Sequence, residues 1–177
     1  MILLDNIRLC IVTPPKTGST SLHYHLCRPP YTGMCVIGPQ FDIDTAIEKH
    51  THHLPWRVGH RNYQVACVTR DPQARAISIW NHARRFSVNS YLPDFNKFLE
   101  RKLITGNYKF GAPLSMIYGE IEFDAVIRLE RLVKDLKALN VPIKTKIQKM
   151  NEHPVETPEI DPDLLAQWIT LDTISVV

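Results

Sequence analysis

The chain has 177 residues, of which 44% are hydrophobic, and this is enough to bury one core but hardly two. We therefore expect one domain that spans residues 1–177. The net charge of +3 is too small to indicate a protein that binds a nucleic-acid polymer or a membrane surface. A small anionic ligand is compatible with it.

The first apolar run meets charged residues before it reaches the length of a signal peptide, and no later run approaches the roughly 18 residues of a membrane span. We therefore expect a soluble, cytoplasmic protein without a signal peptide or membrane span. The cysteines lie at positions 10, 27, 35 and 67 without a C-x-x-C pair, which argues against a zinc site. Cys10 and Cys67 lie in apolar strand-like runs and are interpreted as buried thiols. A Cys27–Cys35 disulfide is the alternative use of the other two.

Apolar runs typical of buried strands occur at Ile7–Thr13, Tyr63–Thr69 and Phe123–Leu129. Helical patterns occur at Ser19–Cys27, Asp44–His52, Asp71–Phe86, Asp94–Ile104, Glu130–Leu139 and Pro162–Leu171. Strands that alternate with helices predict a three-layer α/β fold, in which helices flank a central parallel sheet on both faces. Ligands of such folds bind at the carboxyl ends of the strands.

The segment CIVTPPKTGSTSLHYHL, residues 10–26, begins as a strand and ends as a helix. In such a bend, the first N–H groups of the helix and the positive end of its dipole point to one place, which attracts an anion. Lys16 adds a positive charge, and Gly18 allows the backbone to approach a ligand closely. The hydroxyl groups that can donate to ligand oxygens belong to Thr17, Ser19, Thr20 and Ser21.

An ordinary capped helix start is the alternative for this bend, with Ser19 or Thr17 as the cap. A lysine directly before the helix does not suit that alternative, because a cation there opposes the helix dipole. The bend therefore favours an anion site.

The common nucleotide-binding loop, G-x-x-x-x-G-K-[ST], is absent, because here the lysine precedes the glycine and prolines replace the leading glycines. Instead, PKTGSTSL resembles the 5′-phosphosulfate loop of the sulfotransferases that use 3′-phosphoadenosine 5′-phosphosulfate, especially the carbohydrate-type members. The resemblance implies a sulfotransferase fold similar to that of the P-loop NTPases. It also implies that the 5′ end of this cofactor is bound by Pro15, Lys16, Thr17, Gly18, Ser19, Thr20 and Ser21.

A second segment, VTRDPQARAISIW at residues 68–80, is expected to follow the neighbouring strand. It matches the R-D-P-x-x-R-x-x-S-x-aromatic motif of the same family at every fixed position, with Trp80 as the aromatic residue. Arginine suits a phosphate because its planar fork donates two hydrogen bonds at once. The resemblance implies that Arg70, Arg75 and Ser78 hold the 3′-phosphate. Taken alone, Arg70 could be an ion-pair partner and Ser78 a hydroxyl facing solvent.

A third segment, FDAVIRLERLVKDLKALNV at residues 123–141, resembles the late strand and helix of these enzymes, where an R-x-E-x-L-x-x-D-like pattern is common. We interpret it as a core strand and an amphipathic helix that do no chemistry.

Sulfuryl transfer needs charge neutralisation on the leaving phosphate, which we assign to Lys16, and a base for the acceptor hydroxyl. The segment EKHTHHLPWRVGH, residues 48–60, offers histidines for the second role. The resemblance places the base near His50 and His52, with His53 as a further candidate and Glu48 as a carboxylate alternative. These histidines could instead bind a metal or end a solvated helix.

The sequence thus predicts an enzyme that transfers a sulfuryl group from 3′-phosphoadenosine 5′-phosphosulfate to a hydroxyl of a saccharide or other small acceptor. Adenosine 3′,5′-bisphosphate is the expected product, and no metal is expected. A nucleotide-dependent phosphotransferase with a degenerate loop and a nucleotide-binding module without catalysis are the alternatives. The sequence favours no oligomeric state.

Overall fold

The computed structural model describes residues 1–28, 34–35, 63–86, 94–105, 111–119, 122–143, 147, 155–174 and 176. Contacts between Cα atoms divide the chain into two compact units. We call them the sheet unit (Met1–Thr69, Glu122–Glu152 and Val176–Val177) and the helical unit (Arg70–Ile121 and His153–Ser175). The single domain expected from the length of the chain stays a prediction.

The described strands are β1 (Ile2–Leu4), β2 (Leu9–Val12), β3 (Met34–Cys35), β4 (Gln64–Thr69) and β5 (Ala125–Arg128). They form one sheet in the order β3-β1-β2-β4-β5, in which β2, β4 and β5 are parallel. The described helices are α1 (Ser19–Leu26), α2 (Pro72–Phe86), α3 (Phe95–Thr105), α4 (Leu114–Tyr118), α5 (Leu132–Ala138) and α6 (Pro162–Leu171). The predicted α/β class with a central sheet and flanking helices is confirmed.

The sequence analysis did not predict β1 and β3, which add an antiparallel edge to the parallel strands. A single 3₁₀ turn, Asp5–Ile7, joins β1 to β2, and Arg8 follows it with a left-handed φ of 49°. Because so short a connection can join only antiparallel neighbours, the first strand pairs as a hairpin. The short α4 was also not predicted, and the predicted helix at Asp44–His52 lies outside the described residues.

The register of the parallel strands brings their carboxyl ends to the same edge of the sheet. Val12 of β2 is paired with Cys67 of β4, and Thr69 of β4 is paired with Arg128 of β5. The residues after each strand therefore leave the sheet at one edge, which is where ligands bind in folds of this kind.

Helices α1 and α5 pack on the same face of the sheet. The buried cluster on this face comprises Ile2, Leu4, Leu9, Ile11, Leu22, Leu26, Ala66, Val68, Ile127, Leu136 and Val141. Cys10 and Cys67 alternate with these residues along the strands, so they point to the opposite face, and both are also buried. The interpretation of Cys10 and Cys67 as buried thiols is therefore confirmed, and burial raises the pKa of Cys10 to about 11.

In the helical unit, aspartate carboxylates cap three helices. Asp71 Oδ1 accepts from the Ala74 N–H at 2.7 Å before α2. The same atom of Asp94 accepts from the Asn96 N–H at 2.9 Å before α3, and that of Asp161 accepts from the Asp163 N–H at 2.9 Å before α6. A carboxylate at these positions accepts hydrogen bonds from the first amides, and its negative charge interacts favourably with the positive end of the helix dipole. This explains why these helices begin there.

The core of the helical unit is formed by α2, α3 and α6, with Trp80, Phe95 and Trp168 among its buried residues. Trp80 and Phe95 meet edge to face, with their ring centroids 5.5 Å apart. The Arg84 guanidinium lies 4.5 Å from the Trp80 ring centroid and is paired with the Glu156 carboxylate. These contacts explain the position of Arg84 near the end of α2 without a ligand.

One ion pair of the helical unit is fully buried. The Arg75 guanidinium in α2 is bonded to Asp172 Oδ1 directly after α6, and both side chains are 0% exposed. Arg75 also donates to the Ala112 carbonyl at 2.8 Å, while the Leu114 N–H donates to Asp172 Oδ1 at 3.0 Å. Removing one member of such a pair leaves a buried charge uncompensated, at a cost of about 3–5 kcal/mol.

Burial is also the main influence on the ionisation of Asp172. It raises the pKa of this carboxyl to about 7, although Arg75 and the Leu114 N–H both lower it. Among the described residues, the second carboxylate oxygen, Oδ2, is buried without a hydrogen-bond partner, which is consistent with that strong desolvation.

Candidate active site

The bend between β2 and α1 has an unusual backbone. Lys16 and Gly18 both have positive φ, 65° and 79°, while Thr17 between them does not. The Thr17 N–H donates to the Pro14 carbonyl at 3.4 Å, so Lys16 occupies the third position of a turn that leads to Gly18. The bend is therefore a tight turn with two left-handed residues, and the anion site expected there stays a prediction.

Gly18 is required at this bend for two reasons. Its φ lies in the left-handed region, and a Cβ atom built on it would lie 2.7 Å from Cδ1 of Leu129. Leu129 directly follows β5 and starts the 3₁₀ turn Leu129–Arg131. The bend after β2 thus packs against Leu129, which follows β5 at the same edge of the sheet. Strand β4 lies between β2 and β5.

Leu129 is itself held in place by Asp135 of α5. Asp135 Oδ2 accepts from the backbone N–H of Arg128 at 3.0 Å, and the Asp135 carboxylate is also paired with the guanidinium groups of Arg128 and Arg131. The third segment of the sequence, which we expected to do no chemistry, therefore supports the position of the bend.

Helix α1 begins differently from the three helices that aspartate caps. Its N-cap residue is Gly18, which has no side chain that could bond to the first amides. The first bond of the helix joins the Leu22 N–H to the Gly18 carbonyl at 3.1 Å, so the amides of residues 19–21 precede the helical ladder. The capped-start alternative with Ser19 or Thr17 as the N-cap is therefore not what the structure shows.

Thr17 is fully buried, and its hydroxyl donates to the Pro14 carbonyl at 2.8 Å. We expected this hydroxyl to donate to ligand oxygens, but a hydroxyl has one proton, which here closes the turn. Ser19 is buried, while Lys16, Pro15, Thr20 and Ser21 are half-buried.

A buried hydrogen bond not predicted from the sequence lies behind the bend. Thr13 Oγ1, which follows β2, lies 3.0 Å from Nε2 of His23 in α1. The two side chains are almost completely buried, at 1% and 0% exposed. The bond joins the two ends of the bend, and His23 is therefore a core residue.

The segment with the R-D-P-x-x-R-x-x-S motif begins directly after β4, and its Asp71 caps α2. Arg70 and Ser78 are half-buried, whereas Arg75 is fully buried in its pair with Asp172. The burial of Arg75 distinguishes it from the other two residues assigned to the 3′-phosphate. Its guanidinium is bonded to acceptors within the protein, and it cannot bind a ligand unless those bonds break.

The candidate bases His50, His52 and His53, with the alternative Glu48, lie outside the described residues, and their role stays a prediction. Within the described ranges, no cluster of three or more His, Cys, Asp or Glu side chains could hold a metal ion. Nor does any helix in these ranges have the length and apolar composition needed to cross a membrane.

A solved structure that resembles this chain is that of mouse sulfotransferase SULT7A1 in complex with PAP. The two chains are 18% identical, with a TM-score of 0.47, and the match covers 97% of this chain and 66% of that one. This chain therefore spans slightly less than two thirds of the length of that structure. No model of a protein family and no curated protein matched the chain.

The contact between Gly18 and Leu129 predicts the cost of a methyl group in the bend. Gly18→Ala should lower the free energy of unfolding by about 2–4 kcal/mol, because backbone strain adds to overpacking. A second change, Leu129→Ala, should recover the overpacking part only. Urea denaturation of the two single variants and the double variant measures this coupling.

Gly119 offers a matched control, because its φ is also positive, 60°, but no atom lies within 4 Å of a Cβ built on it. Gly119→Ala should therefore carry a backbone cost that Leu129→Ala does not change. Equal coupling of Leu129→Ala to both glycine variants would contradict the close packing of the bend against Leu129.

Proposed function

We propose that the protein is a sulfotransferase that uses 3′-phosphoadenosine 5′-phosphosulfate and transfers its sulfuryl group to a hydroxyl of a saccharide or other small acceptor. The observation that carries this proposal is the left-handed backbone of Lys16 and Gly18 at the carboxyl edge of the sheet. This bend, P-K-T-G-S-T-S, resembles the 5′-phosphosulfate loop and leads into α1, whose N-cap Gly18 provides no side-chain cap for the first amides.

Two local costs meet at Lys16 and support an anion as the ligand. A residue other than glycine at positive φ is strained by roughly 1–2 kcal/mol. In addition, Lys16 lies two residues before the N-cap Gly18, where the positive end of the α1 dipole repels a cation. Strain of this kind is concentrated at functional sites. A bound 5′-phosphosulfate would offset both costs, since it attracts the lysine and the helix amides together.

The second anion of the donor is assigned to the segment after β4. Strands β2 and β4 are parallel neighbours, so the bend that follows β2 and residue Thr69, which precedes Arg70, leave the sheet at the same edge. We assign the 3′-phosphate to Arg70 and Ser78. Their side chains are half-buried, whereas that of Arg75 is enclosed in the protein core.

The residues of the bend and of the segment after β4 offer the donor positive charge, hydroxyl groups and backbone amides. The donor, when bound, supplies the sulfuryl group. Lys16 stabilises negative charge on the oxygen of the leaving 5′-phosphate, while the amides at the start of α1 bind the other oxygens. The acceptor oxygen forms the new bond to sulfur as the bond from sulfur to the phosphate oxygen breaks. We assign removal of the acceptor proton to His50, His52 or His53, with Glu48 as the alternative.

The proposal predicts a preference for nucleotides with a 3′-phosphate. Adenosine 3′,5′-bisphosphate should bind about 10- to 100-fold more tightly than adenosine 5′-phosphate, because charge-assisted hydrogen bonds to a phosphate contribute about 1.5–3 kcal/mol. Isothermal titration calorimetry of the unmodified chain without magnesium measures both constants. Tighter binding of ADP than of the bisphosphate, with a requirement for magnesium, would instead favour the phosphotransferase.

The proposed role of Lys16 predicts that its replacement lowers activity, while replacement by glycine relieves backbone strain. Lys16→Ala and Lys16→Gly should each lower kcat for sulfuryl transfer by about 100- to 1,000-fold, since both remove the charge from the leaving phosphate. Of the two variants, Lys16→Gly should have the higher free energy of unfolding, by about 1 kcal/mol, because glycine also relieves the strain of the positive φ. Turnover on a panel of saccharide and small hydroxyl acceptors, with urea denaturation, measures both effects.

Lys134→Ala is the matched control, because Lys134 is an exposed lysine of α5. It should change neither kcat nor stability appreciably.

A wild-type chain that binds the bisphosphate but sulfates no acceptor, even with every variant folded, would identify a nucleotide-binding module without catalysis.

A further inference from the structure

Arg75 stands at a fixed position of the 3′-phosphate motif, yet its guanidinium is enclosed by the protein. It is bonded to Asp172 and to the Ala112 carbonyl, and its side chain is 0% exposed. The motif residue therefore faces the core of the helical unit. Its neighbour Ser78, three residues further along α2, lies about 60° around the helix and is half-buried.

Asp172 is one of two side chains at the end of the chain that contact the start of α2. The other is Trp168, which lies one turn earlier in α6 and is 0% exposed. Its indole N–H donates to the Pro72 carbonyl at 3.2 Å, in the first turn of α2. The residues bound on α2, Pro72 and Arg75, are three positions apart and share one face of the helix.

Two directional bonds on one turn determine both the rotation and the axial position of the start of α2. Arg70 directly precedes this turn and Ser78 lies one turn after Arg75, so their placement depends on the same bonds. The Leu114 N–H, which also donates to Asp172, fixes the carboxylate from a second direction. Buried ion pairs are best supported as devices that specify one arrangement among several.

We infer that Trp168 and Asp172 are positioning residues for the 3′-phosphate site, and that Arg75 acts through them rather than by binding the phosphate. This inference rests on the proposed function. The end of the chain thereby sets nucleotide specificity, although it need not touch the nucleotide. A displacement of the phosphate ligands by as little as 1 Å is enough to weaken a site that depends on bond direction.

The test compares adenosine 3′,5′-bisphosphate with adenosine 5′-phosphate. The ratio of the dissociation constant of adenosine 5′-phosphate to that of the bisphosphate reports the contribution of the 3′-phosphate alone. Asp172→Asn keeps the shape of the side chain but removes its charge, and Trp168→Phe keeps a ring but removes the N–H. Each should lower the ratio about tenfold, the equivalent of one charge-assisted hydrogen bond, and leave the affinity for adenosine 5′-phosphate within twofold of wild type. Gln167→Ala, an exposed change in the same helix, should leave both constants unchanged.

Ser78→Ala provides the coupling measurement. If Asp172 acts by positioning Ser78, the double variant Asp172→Asn/Ser78→Ala should have nearly the ratio of the more affected single variant, rather than the product of the two losses. Circular dichroism identifies the variants that remain folded. If Asp172→Asn does not fold, Trp168→Phe tests the positioning role instead.

Three results would overturn the inference. An unchanged ratio in folded variants would remove the positioning role while leaving the proposed function intact. An equal loss of affinity for both nucleotides would show a general structural role instead. A wild-type chain without preference for the bisphosphate would overturn the proposed function, and this inference with it.

Discussion

The strained backbone of residues 16–18 is the constraint on which the site depends. Lys16 and Gly18 have positive φ, and Gly18 lies so close to Leu129 that a methyl group would collide with it. The bend thus contacts Leu129, the residue after β5, and the preceding residue, Arg128, donates its N–H to Asp135. Within the bend, the Thr17 hydroxyl closes the turn on Pro14. A lysine is therefore kept in an unfavourable conformation at a helix start, where an anionic ligand is the natural complement.

The helix starts show how the same physical requirement is met in two ways. Carboxylates cap α2, α3 and α6, so the first amides of these helices are satisfied by the protein itself. At α1 the capping position is a glycine, and the charge next to it is a cation. Helices of the first kind build the core of the helical unit, whereas the start of α1 is left for the anion that we propose.

Much of this arrangement could be predicted because it depends on residues close together in sequence. The three predicted strands contain β2, β4 and β5, and the predicted helix at Pro162–Leu171 has the observed bounds. The position of the bend likewise follows from a local change of pattern, since an apolar run gives way to glycine and hydroxyl residues. Strand β1 was missed because it is short, and its pairing depends on a turn without glycine or proline. The partner of Arg75 was missed because Asp172 lies 97 positions further along the chain, and a motif does not reveal which of its arginines is buried.

Backbone amide chemical shifts of residues 16–21, followed by NMR during titration with adenosine 3′,5′-bisphosphate, test the central claim most directly. If the bend binds the 5′ end of the nucleotide, these amides should show the largest saturable shifts in the sheet unit, and Lys16→Ala should weaken the saturation. Saturable binding with no shift at these amides would contradict the account, because the nucleotide would then lie elsewhere.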